Sequence, residues 1–91
     1  MIFDLVALRQ FMHRRFRIAP AKINLGAGLV DDLGLDELDR MELLMYLEQR
    51  YEVEFPEESL NRYESIIELI IYVVLKKMEQ AIPKFPFFMA V

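Results

Sequence analysis

Ninety-one residues, 55% hydrophobic and 29% charged, are enough for one buried core and too few for two independent ones, and they exclude a disordered chain. The absence of cysteine excludes disulfides, thiolate metal sites and cysteine nucleophiles, and fits a reducing compartment. The net charge of −4 is unevenly divided: residues 1–30 carry five basic side chains against Asp4, residues 31–58 eleven acidic ones against Arg40 and Arg50, and residues 59–91 four basic against three acidic. A middle third that acidic repels a phosphate backbone and attracts a basic protein surface, so no nucleic acid is expected as partner.

In the opening MIFDLVAL the apolar run precedes Arg14, Arg15 and Arg17, the reverse of an export signal, so a cytoplasmic location is expected. Leu5, Leu8, Phe11, Met12 and Phe16 recur at three- and four-residue steps opposite Arg9, Gln10, His13 and Arg14, which predicts an amphipathic helix over residues 2–17. Its arginines beside Phe11 and Phe16 also admit a helix lying on an anionic membrane, a reading that fails if the phenylalanines join the core. Pro20, Asn24, Gly26, Gly28 and Gly34 then mark a long ordered loop over residues 18–36, pinned by Ile23, Leu29, Val30 and Leu33.

Asp36 is the expected cap of a second helix, with Glu37 and Asp39 in its favourable first turn. That helix runs through Leu38, Met41, Leu44, Met45, Leu47 and Tyr51, with Leu38, Leu44 and Leu47 read as core and Met41 and Met45 as candidates for contact. Pro56 suits a first helical position, so one or two short turns are expected over PEESLNR. Ser65 and Glu68 read as a capping box ahead of IIELIIYVVL, a run too short to span a bilayer and expected to form a last helix to about Met78. Glu68, Tyr72, Lys76 and Glu79 leave that helix only a narrow polar stripe, so it should be nearly engulfed. Residues 1–80 are thus expected to form the helical domain and residues 81–91 an apolar tail rich in proline and phenylalanine, which must cover the last helix, a partner or a second copy.

The order helix, glycine-containing loop, acidic helix, short helix, last helix resembles the acyl carrier protein family. The specific match lies in LVDDLGLDELDRMELLMYLEQRYEVEFPEES, residues 29–59, around DLGLDEL, which is similar to the family's D-L-G-x-D-S-L motif. The resemblance implies an all-α, four-helix bundle with three long helices, one short helix and a long loop between the first two. It also implies a carrier whose motif serine is esterified by 4′-phosphopantetheine, yet that position is Glu37 here, and a carboxylate lacks the alcohol this chemistry needs. No bound cofactor is therefore expected.

What the resemblance leaves is a docking face on the second helix that meets a basic patch on a carrier-dependent enzyme. Asp36, Glu37, Asp39, Glu42 and Glu48 would supply its acids, Met41 and Met45 its apolar contacts, and Arg40 a departure that would either narrow the partner range or reject the usual partners. Tyr46, Leu60 and Leu69 are expected to fill the region where chain-sequestering members keep space. Glu37 reads either as a stand-in for the missing phosphate or as an ordinary first-turn acid.

Asp31 with Asp32, and Glu57 with Glu58, read as solvated charge, since neighbouring positions do not converge on a metal. His13 lacks a second histidine and reads as a surface residue. No nucleophile–base pair, phosphate loop or metal cluster points to an enzyme. Three functions stay open: a non-carrying interaction or regulatory partner in fatty-acid, polyketide or related acyl metabolism, a carrier whose serine was replaced in this sequence, and a structural module that self-associates as a homodimer through its last helix and tail.

Overall fold

The computed structural model describes residues 3–81, so the expectations for the tail over residues 82–91 lie outside the described residues. Three α-helices make the frame: α1 (Leu5–Phe16), α2 (Glu37–Tyr51) and α3 (Ile66–Ala81), with short 3-10 turns at Pro20–Lys22 and Glu57–Asn61. The architecture is all-α as expected, with no strand among the described residues and the expected short helix taking the tighter 3-10 form.

Local chemistry sets the helix ends. The Asp4 carboxylate accepts the Ala7 N–H at 2.9 Å and starts α1, three residues later than the apolar periodicity suggests. The same residue is tied to the end of α2, because its N–H donates to the Tyr51 hydroxyl at 2.9 Å and its carboxylate meets Arg50 at 3.1 Å. Arg17, at φ 60°, closes α1 by donating its N–H to the His13 carbonyl. Helix α2 opens with a reciprocal capping box: the Asp39 N–H donates to Asp36 at 2.8 Å, and the Asp36 N–H donates to Asp39 at 3.2 Å.

The long loop does more than connect. The Ile66 and Ile67 N–H groups, two of the donors a helix start leaves unpaired, donate to the Ala27 carbonyl at 3.1 Å and the Leu25 carbonyl at 2.9 Å. The Leu29 N–H returns a bond to the Glu64 carbonyl at 2.8 Å, and Gly28 and Ser65 form an isolated bridge. The loop itself therefore caps α3. This corrects the capping-box reading of Ser65, whose hydroxyl instead donates to the Glu68 carboxylate at 3.1 Å while Glu68 also accepts the Glu64 N–H. Gly34, at φ +66°, turns the chain so that Leu35 enters the core immediately before the Asp36 cap.

The core draws on all three α-helices and the long loop: Leu8 and Met12 from α1, Ile23, Leu29 and Leu35 from the loop, Leu43, Leu47 and Tyr51 from α2, and Ile66, Leu69 and Val73 from α3. Each buried Leu or Ile contributes about 2 kcal/mol relative to exposure. Phe11 and Phe16 are partly buried against this core, which removes the membrane-surface reading of α1.

Three further expectations are corrected. Leu38 is 60% exposed and Leu43 is buried in its place, because Leu43, Leu47 and Tyr51 share one face and Leu38 lies about 140° around the helix from Leu43. Val30 is exposed and pins nothing, while Ala27 and Leu35 are buried. Helix α3 is not engulfed over the described residues: Ile71, Leu75 and Met78 are exposed. No helix of the described residues is long and apolar enough to cross a membrane.

Candidate functional site

Glu37 is the first residue of α2 and is exposed, next to the capping box that Asp36 and Asp39 form. It stands at one end of an open groove of about 380 Å³ between α2 and the turn Glu57–Asn61. Met41, Leu44, Met45 and Glu48 from α2 form one wall, and Phe55, Pro56 and Leu60 form the other. Apart from its two carboxylates the lining is apolar. Leu38, Met41 and Met45 are exposed at steps of three and four residues, and so make a ridge along this helix.

Among the residues singled out from sequence, Glu37, Met41, Met45 and Glu48 converge on the groove. The others are engaged elsewhere. Asp36 and Asp39 bond each other's backbone in the cap. Arg40 turns away from the ridge: its guanidinium donates to the Leu60 carbonyl at 3.2 Å, to Asn61 at 3.3 Å and to the Asp36 carbonyl at 3.4 Å. It fastens α2 to the turn that forms the opposite groove wall.

Glu42 faces α1, where Arg15 approaches it at 2.6 Å. Glu48 lines the groove but also accepts the Phe55 N–H at 2.9 Å, fixing the chain that leaves α2. Of the charged α2 residues named from sequence, Glu37 alone makes no hydrogen bond or ion pair with a described residue. The apolar members Leu38, Leu44, Phe55 and Pro56 were not recognised as site residues, although the 38, 41, 45 spacing carried the signal.

Tyr46 is expected from the resemblance to fill the space between α2 and α3, and this is corrected. Its ring stacks on Phe11 of α1, centroids 4.1 Å apart, on the far side of the helix from the groove. Burial pushes its phenol above the ordinary 10.0, against the opposing pull of Arg50. Leu69 is fully buried, as expected, and Leu60 is partly buried in the groove wall. Between α2 and α3 the core positions Leu43, Leu47, Leu69 and Val73 are closed to solvent.

Asp31 and Asp32 are exposed, as expected of solvated charge. Asp32 accepts the Gly28 N–H at 2.6 Å and braces the loop, and a Cβ at Gly28 would meet that carboxylate at 3.2 Å. His13 makes a 3.0 Å contact between Nδ1 and the Ile18 carbonyl at the end of α1. Among the described residues no three His, Asp or Glu side chains converge as a metal site would need.

Residues 6–73, which include all of this site, match the family model described as the phosphopantetheine attachment site. The chain is 32% identical over 72 residues to an acyl carrier protein of Campylobacter fetus, covering 79% of this chain and 91% of the relative. It is 32% identical over 66 residues to an acyl carrier protein of Campylobacter concisus, covering 72% and 86%. With an acyl carrier protein of Clostridium acetobutylicum the identity is 30% over 73 residues, covering 80% and 92%.

Proposed function

The chain belongs to the acyl carrier protein family, and from that premise we propose that it carries no acyl group and acts by contact with a carrier-dependent enzyme of acyl metabolism. It is not an enzyme; its relatives are named as carriers. The observation that supports a non-carrying role is Glu37, which stands first in α2 at the position the DLGLDEL motif assigns to the attachment serine. Transfer of phosphopantetheine forms a phosphodiester through an attacking hydroxyl. A carboxylate in that place cannot yield the same linkage.

The contact surface we propose is the ridge Leu38, Met41 and Met45 with Glu37 at its leading end. Methionines adapt to a partner's relief, and the acidic middle third steers the encounter with a basic surface. Arg40, Glu42 and Glu48 support this surface by holding α2 against its neighbours. A cytoplasmic location accords with such a partner. Leu38→Glu with Met41→Glu should abolish capture of carrier-dependent enzymes from the source cell, whereas substitution of the exposed Arg14 on α1 by Ala should leave it intact. Equal capture by all three proteins would remove the ridge from the proposal.

Retention of carrier function is tested by intact mass after incubation of the natural chain with a phosphopantetheinyl transferase and coenzyme A. No gain is expected. A gain mapped to any residue would make the chain a carrier and overturn the proposal.

A further inference from the structure

Helix α3 presents an apolar strip that no described residue covers: Ile71, Leu75 and Met78 are 49%, 58% and 58% exposed, one turn apart on one side. Single exposed apolar residues are ordinary, but three in register form a patch that water penalises. The ten residues after Ala81 read IPKFPFFMAV, with Lys84 their one charge. We propose that this segment folds back in cis and seats Phe85, Phe87 and Phe88 on the strip.

The chemistry and the reach agree. The strip from Ile71 to Met78 is about 10 Å long at the helical rise, while ten extended residues span up to about 33 Å. A reversal over the first three or four residues leaves enough chain to run back past Ile71. Proline disfavours helix at its own position and at the residue before it, so the sequence around Pro83 and Pro86 limits the conformations open to the segment. Part of the ordering entropy is thereby removed before docking. Tethering directly to the helix end gives the segment a millimolar-scale effective concentration, which a second copy reaches only at high protein concentration.

The polar neighbours leave the strip free. Tyr72 donates to the Glu54 carbonyl, Lys76 pairs with Glu79 at 3.6 Å, and Gln80 donates to the Glu52 carbonyl at 3.1 Å. The Tyr72 and Gln80 bonds hold one flank of α3 to the chain that follows α2, the Lys76–Glu79 pair stays within the helix, and Ile71, Leu75 and Met78 remain exposed.

The test is nuclear Overhauser spectroscopy on the full chain, with an equimolar mixture of labelled and unlabelled protein to separate contacts within and between molecules. Contacts from the Phe85, Phe87 and Phe88 rings to the Ile71, Leu75 and Met78 methyl groups within one molecule are expected, unchanged on tenfold dilution. Leu75→Glu should abolish them while the core methyl signals of Leu43 and Leu47 stay in place. Contacts seen only between molecules would assign the strip to a second copy and overturn the proposal. Absence of ring-to-strip contacts in a folded chain would overturn it equally.

Discussion

Helices α2 and α3 solve opposite problems. Helix α2 carries six charged side chains against four in α3, yet its charges, with the capping Asp36, are largely consumed: Asp36 and Asp39 in the cap, Arg40 on the following turn, Glu42 on Arg15 and Glu48 on the Phe55 backbone. What it presents outward is Glu37 and an apolar ridge beside a groove. Helix α3 opens with a long apolar run, takes its start from loop carbonyls and leaves its apolar strip bare over the described residues. A charge-rich sequence therefore need not mean a charged contact surface, because long side chains reach sideways to backbone groups and neighbouring helices.

The sharpest way to break that contrast is to substitute the two faces of α2 separately. Leu47→Ala, in the closed core, should destabilise the chain by about 3 kcal/mol in denaturant unfolding. Leu38→Ala, on the ridge, should change stability by less than about 0.5 kcal/mol. Similar losses from both would mean that the ridge is core after all.

A smaller effect is expected from the polar ties. Arg40→Ala removes bonds to the Leu60 carbonyl and Asn61 and should cost about 1 kcal/mol, with faster hydrogen exchange in the turn Glu57–Asn61. Arg15→Ala breaks an ion pair with one well-exposed partner and should cost less than about 1 kcal/mol.

The smallest effect belongs to pH. Burial raises the Tyr46 phenol in the folded state, so the folded protein holds this proton more tightly than the unfolded chain does. The contribution is fully present below the unfolded value near 10 and is lost as pH rises through the folded value. The unfolding midpoint should therefore fall on the alkaline side of pH 10, and Tyr46→Phe should flatten that decline. Tyr72, raised by burial as well, contributes in the same direction.

Features set by neighbours in the chain were legible in the sequence. The Asp36 cap, the α1 periodicity and a short turn after Pro56 depend on a few adjacent residues and emerged as expected, although Pro56 caps that turn from one place before its first residue. Leu38 was misplaced because ELDRMELLMYLEQRY fits two helical faces nearly equally, and only the packing of Leu43 against the other elements selects one. The roles of Arg40 and Glu42 were hidden because their partners lie 20 and 27 residues away, where no local pattern reports them. The capping of α3 by Leu25 and Ala27 carbonyls was hidden for the same reason.

The reading of position 37 as a vacated attachment point is tested most directly by intact mass, with the natural chain and Glu37→Ser treated side by side with a phosphopantetheinyl transferase and coenzyme A. The serine variant alone should gain one phosphopantetheine, mapped to residue 37. Modification of the natural chain, or a serine variant that stays bare while folded, would contradict it.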